Sequence, residues 1–124
     1  MTDAADAQSA AEVMAGEWRH LLEGSQGLID TETVRAAYAQ PQLRQVFPMV
    51  SHGVMYFSRC TGLPAAHVGG QVHPRGIDGR FWVRGPMGVG TIGRAKTLEE
   101  AFALVAANLP EGCGPAILGT AEDV

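Results

Sequence analysis

The sequence predicts a small two-layer α+β domain, and three observations carry that reading. Apolar residues recur at helical spacing near both ends of the chain, and the centre alternates at period two between turn formers. A Thr97-Leu98-Glu99-Glu100 run then opens a closing helix, with Thr97 as N-cap and Glu100 at the third helical position. The expected order is N-terminal helices, a three- or four-stranded antiparallel sheet, and a C-terminal helix packed on it. At 124 residues the chain has the size of one domain and can bury a core without covalent staples. Residues 1–124 are therefore read as a single domain, with 1–9 and 111–124 as tails.

The elements follow in order. Val13, Met14, Trp18, Leu21 and Leu22 make one apolar face of a helix from about Ala10 to Glu23, and Gly24 ends it. The residues before it are small and polar and are expected to fray. Asp30 or Thr31 caps a second helix running to about Gln40, where Pro41 stops it. Leu28, Val34, Tyr38, Leu43, Val46 and Phe47 supply the buried side of this region, and Gln42 to Phe47 makes a further short helical turn.

Val54 to Arg59 is rich in β-branched and aromatic residues and reads as the central strand. Val54, Tyr56 and Ser58 share one face; Met55, Phe57 and Arg59 share the other. A weaker strand is expected over about His67 to His73, where Gly69 and Gly70 mark a bulge, a close backbone approach or a loop. Asp78-Gly79 is the strongest hairpin signal. The strand Arg80 to Arg84 sets Phe81 and Val83 against Arg80, Trp82 and Arg84, and a short strand is expected over Val89 to Gly93. Leu98, Ala101, Phe102, Val105 and Leu109 then lay an oily stripe on the sheet, and Ala116 to Leu118 is a small apolar patch suited to docking on the body or on a second subunit.

Charge is distributed unevenly along the chain. Residues 1–32 hold seven acids and one Arg, and residues 99–124 hold five acids and no base. Between them Asp78 is the single acid against seven Arg and Lys96, a basic body that attracts phosphates or peptide carboxylates unless the acidic ends fold back on it. Double-stranded RNA binding is disfavoured, since no Lys-rich helix start exists and Lys96 is the only lysine. No stretch approaches the roughly 20 apolar residues that span a bilayer, no secretory signal opens the chain, and the two cysteines form no CxxC pair. A cytoplasmic protein with no membrane partner is expected.

Catalytic motifs are scarce. Gly88-Val89-Gly90 and Gly93 do not make a dinucleotide fingerprint, and no phosphate-binding loop is present. His20, His52, His67 and His73 lack metal-ligand spacing, so neither a metal nor another cofactor is expected. Cys60 beside Arg59 with His52 or His67 as base is a nominal nucleophilic pair, although a buried inert thiol is the commoner case. His52 is the candidate catalytic base. Tyr56, Phe57, Arg59, His67, Arg80, Trp82 and Arg84 are the candidate substrate-binding residues, with Trp82 set between two guanidinium groups to stack or clamp a ligand.

Six short stretches together carry a resemblance: Phe47-Pro48, Ser51-His52-Gly53, Phe57-Ser58-Arg59-Cys60-Thr61, Val83-Arg84-Gly85-Pro86, Glu99-Glu100-Ala101 and Ala107-Asn108-Leu109-Pro110. Over roughly Trp18 to Pro110 the chain resembles a family of small bacterial proteins of natural-product gene clusters, including those that form the lysinoalanine bridge in cinnamycin-type lanthipeptide pathways. The resemblance implies an aza-Michael addition in which a peptide Lys amine attacks a dehydroalanine of the same modified precursor peptide; a homodimer is expected. The base would come from His52 or from the substrate itself. The competing expectation is a non-catalytic dimeric module that binds a precursor peptide or a biosynthetic partner.

Overall fold

The computed structural model describes residues 3–24, 29–74, 76, 78–86 and 89–124, with the side chains of the first helix from Ala10 onward. Leu28, Arg75 and Gly88 lie outside the described residues. Two helices lead, α1 (Asp3–Leu22) and α2 (Thr31–Tyr38). One antiparallel sheet follows from β1 (Phe47–Ser51), β2 (Val54–Ser58) and β3 (His67–Val68), and a second from β4 (Gln71–His73), β5 (Phe81–Arg84) and β6 (Thr91–Ala95). The helix α3 (Leu98–Ala107) follows the last strand. The α+β class and the order of elements are those the sequence predicts.

Capping chemistry sets the helix ends. Asp30 accepts from the Glu32 amide at 3.3 Å at the start of α2, and Thr97 Oγ1 accepts from the Glu100 amide at 3.1 Å at the start of α3. Gly24, at φ 87°, closes α1. That helix begins at Asp3 rather than Ala10, so residues 3–9 of the segment expected to fray are helical.

The sheet layer differs from the expected one in two places. First, β1 occupies residues read as a helical turn and a Pro break: a short 3-10 turn covers Leu43–Gln45, and Phe47 onward is extended. Pro48 is tolerated because β1 is an edge strand, where the missing N–H need not break the ladder. The β1–β2 connection is a two-residue loop in which His52 (φ 53°) and Gly53 (φ 76°) both adopt positive φ, the geometry of a tight hairpin.

Second, the run His67 to His73 is not one strand. It breaks at Gly69 and Gly70, both at positive φ, and its halves belong to different sheets. A Cβ on Gly70 would run into the Arg84 carbonyl of β5, so only glycine lets the chain cross between the sheets there. The Gly69 carbonyl accepts from Asn108 Nδ2 at 2.7 Å, which ties this crossing to the end of α3.

The core lies between the sheets and the helices. Phe57 is its centre, 1% exposed, stacked on Trp18 of α1 (centroids 6.3 Å apart, planes 28°) and meeting Phe102 of α3 edge-on (6.3 Å, 89°). Leu21, Val34, Leu43, Met55, Val83 and Val105 fill the space around these rings. The C-terminal segment expected to be a tail is hydrogen-bonded to the body. Its Ala116 amide donates to Gln45 O at 2.7 Å, Ile117 exchanges bonds with Arg59 and Thr61 at 3.0 Å, and Gly119 O accepts from Gly62 at 2.7 Å. Of the expected docking patch, Ala116 is buried whereas Ile117 and Leu118 stay exposed.

Replacing Phe57 by Ala removes both ring contacts and opens a cavity, and is expected to cost about 3–5 kcal/mol in urea-unfolding experiments, with Phe57→Leu costing less. Gly70→Ala is expected to destabilise by about 1–3 kcal/mol on the same assay, through positive φ and the Arg84 carbonyl together.

Candidate functional site

The second sheet turns a polar, cationic face away from the core. Because side chains alternate, burying Val83 on α3's side sends Trp82 and Arg84 to the opposite side. Strand register then decides their company. His73 of β4, Trp82 of β5 and Arg94 of β6 form one row across the three strands, and Gln71, Arg84 and Thr91 form the next. The register shift between Val83 and Arg84 marks a bulge at this point of the β5–β6 pair.

Within the first row the Arg94 guanidinium carbon lies 4.4 Å from the Trp82 ring centroid, a cation–π contact. Asp78 holds it there: its Oδ2 is 3.6 Å from Arg94 Nη1, while its Oδ1 accepts from the Arg80 amide at 3.0 Å. These contacts keep the Asp78 carboxyl below its ordinary range, the Arg80 amide first and the Arg94 charge after it. The single acid of the central region is thus already engaged. Arg84 is exposed, and among the described residues no carboxylate pairs with it. His73 Nε2 is buried without a hydrogen-bond partner among the described residues. Burial, and then the Arg84 charge, lower the His73 pKa below 6.5, so its imidazole is neutral at physiological pH.

The other expected residues fall elsewhere. Tyr56 and His67 meet edge to face, centroids 5.8 Å apart, on the outer side of the first sheet. Phe57 is locked in the core and reaches no surface. Arg59 gives its backbone to Ala66 and Ile117 and joins the loop to the C-terminal segment. Arg80 sits in the β4–β5 loop, not in the strand, and contributes its amide to Asp78. His52 is an exposed turn residue whose Nδ1 lies 3.0 Å from Ser51 Oγ. Cys60 is fully buried, its Sγ directed at the carbonyls of Gly62 and Pro64 and near Ser58 Oγ, so it is closed to a substrate. Among the described residues no three His, Cys, Asp or Glu side chains gather as a metal site, and no helix is long and apolar enough to cross a membrane.

Sequence reasoning put Trp82 and Arg84 on one strand face, as in the structure, but left out Arg94 and His73, which flank Trp82 in its row. Ending the last strand at Gly93 left Arg94 outside the sheet; a pairing register would have brought it in.

Chemically, this face offers an aromatic platform under one fixed guanidinium and a second guanidinium without a carboxylate partner among the described residues, beside an imidazole whose buried Nε2 is unpartnered. That set suits a ligand carrying a carboxylate or another anion, and it lies on a small mixed α+β domain. The chain belongs to the DUF6193 family, described as a family of unknown function, which matches residues 12–120. No curated protein and no solved structure matches it.

The His73 environment sets a pH dependence. Its folded pKa lies below the unfolded 6.5, so the unfolded chain takes up the proton first; its contribution to stability is complete above 6.5 and is lost as pH falls through the folded value. Denaturation midpoints measured across that window should fall with acidification and flatten in His73→Gln. Asp78 gives a separate loss only below 3.8.

Proposed function

We propose that this protein holds a carboxylate-bearing modified peptide on the outer face of its second sheet and promotes lysinoalanine formation within it. The observation that carries the binding half is the Trp82–Arg94–Arg84 face, where the nearest acid, Asp78, is engaged and Arg84 has no carboxylate partner among the described residues. The chemical half is supported by the sequence resemblance, and the same face is compatible with it. Two guanidinium groups disfavour the ammonium form of an approaching Lys, whose free pKa is near 10.4. The neutral amine adds to the dehydroalanine β-carbon, the C=C π bond breaks, and the proton leaving nitrogen is balanced by one gained at the α-carbon. The proton leaving nitrogen goes to the substrate itself, since His73 Nε2 is buried and His52 is an exposed turn residue away from this face. Positioning amine and alkene in contact supplies a large part of such a rate, on the order of 7 kcal/mol or more when the geometry is favourable.

An accessory module that binds the same peptide without turnover is the second reading. The lack of a hydrogen-bonded acid–base pair among the eight residues singled out in the sequence favours it.

Incubating a dehydrated, thioether-cyclised cinnamycin-type peptide with the protein separates the two. Cross-linking leaves the mass unchanged, so thiol-reactive dehydroalanine and tandem fragmentation are the readouts. Protein-dependent loss of dehydroalanine is expected, slowed roughly ten- to a hundredfold in Arg84→Ala and Trp82→Ala. Binding without that loss would make the protein an accessory module, and neither binding nor loss would remove the reading altogether.

A further inference from the structure

A second place in the molecule presents unmatched chemistry, away from the outer sheet face. A cleft of about 470 Å³ lies between α1 and the Tyr38–Arg44 segment, within the size range of small-molecule sites. Met14, Ala15 and Trp18 line it from α1, and Tyr38 and Arg44 face them. Trp18 is only 3% exposed, and its ring meets Tyr38 at 5.3 Å and 60°, so the cleft has an aromatic wall.

Two polar features stand out against this apolar lining. The indole nitrogen of Trp18 is buried and has no hydrogen-bond partner among the described residues. An indole N–H can only donate, and a buried donor without an acceptor is uncommon enough to require a reason. At the rim, Arg44 is held in place, its Nε donating to Tyr38 O at 2.6 Å and its guanidinium carbon 4.9 Å from the Tyr38 ring centroid. Its terminal nitrogens make no hydrogen bond or ion pair among the described residues. Arg19 also lines the cleft, against Glu23 as the one acid of the lining. Among the described residues no carboxylate lies within ion-pair distance of Arg44 or Arg19.

We propose that this cleft is a second binding site, for an apolar group that carries a carboxylate. The apolar body packs on Met14 and the Trp18–Tyr38 rings, and the carboxylate oxygens accept from the Arg44 guanidinium. Nothing in this assignment depends on the Trp82 face.

The two tryptophans of the chain make the test direct. In a heteronuclear spectrum of isotope-labelled protein each gives one indole N–H signal, and Trp18→Phe identifies its own by loss. Phenylpropionate is titrated in, with phenylpropanol as its neutral counterpart and a short peptide ending in Phe as the free acid or the amide. The Trp18 signal is expected to move saturably with the acids while the Trp82 signal holds still, and Arg44→Gln is expected to weaken binding about tenfold. Ala15→Leu fills the cleft from an exposed helix position and is expected to abolish the response with the rest of the spectrum intact. Movement with the peptide acid as well as phenylpropionate makes a peptide C-terminus the ligand source; movement with phenylpropionate alone makes it a small molecule, and both support the site. A stationary Trp18 signal, equal movement with the alcohol or the amide, or an unchanged response in Ala15→Leu would overturn it, as would a shift that follows protein concentration alone.

Discussion

The Phe57 ring is the constraint on which the rest of the structure depends. It stands on the inner face of β2, and two aromatic contacts join it to Trp18 of α1 and to Phe102 of α3. Each such pair is worth about 0.5–1.5 kcal/mol beyond the area it buries. Their larger consequence is geometric, because one side chain sets how the leading helix, the first sheet and the closing helix approach one another. Phe57 serves this role because period-two alternation places it beside Met55 on the inner side, with Tyr56 and the buried Ser58 on the other face of the strand.

The division of the β layer into two sheets follows from the glycine crossing. A continuous strand from His67 to His73 would have aligned Tyr56 and His67 with Trp82 and Arg84 in one surface. The positive φ at Gly69 and Gly70 separates them, so the molecule has two outer faces of different character. The first pairs Tyr56 with His67. The second is cationic and aromatic, and Asp78 orients Arg94 rather than neutralising Arg84. An exposed ion pair such as Asp78–Arg94 adds little stability, so its consequence is the placement of the guanidinium over the indole.

The C-terminal segment and the cysteines illustrate how apparent reactivity becomes structure. Ser58 Oγ receives the amides of Cys60 and Ala66, at 3.2 and 3.0 Å, and organises the loop that follows β2. Cys60 fills the space beneath that loop, and the segment from Ala116 to Gly119 lies along it through backbone hydrogen bonds. A residue that sequence proximity to Arg59 marks as a nucleophile is thereby a packing group. The family match extends to residue 120 and so takes in this docked segment.

The sequence by itself determined the elements whose signals are local. The helix start at Asp30 or Thr31, the cap at Thr97, the stop at Gly24, the shared face of Met55 and Phe57 and the Trp82/Arg84 alternation all depend on neighbours a few residues away. What only tertiary structure decided depends on partners far along the chain. Pro48 reads as a break until β1 is known to be an edge; Gly69 and Gly70 read equally as bulge, approach or loop until Val105 and Leu109 lie against the first and the Arg84 carbonyl against the second. Phe57 reads as a pocket wall until Trp18 and Phe102 close over it. Arg94 and His73 join the candidate site only through strand register, and the Trp18 cleft only through the approach of α1 to Tyr38 and Arg44. Periodicity tells which side of an element a residue occupies, whereas burial and partnership follow from how separate elements are brought together.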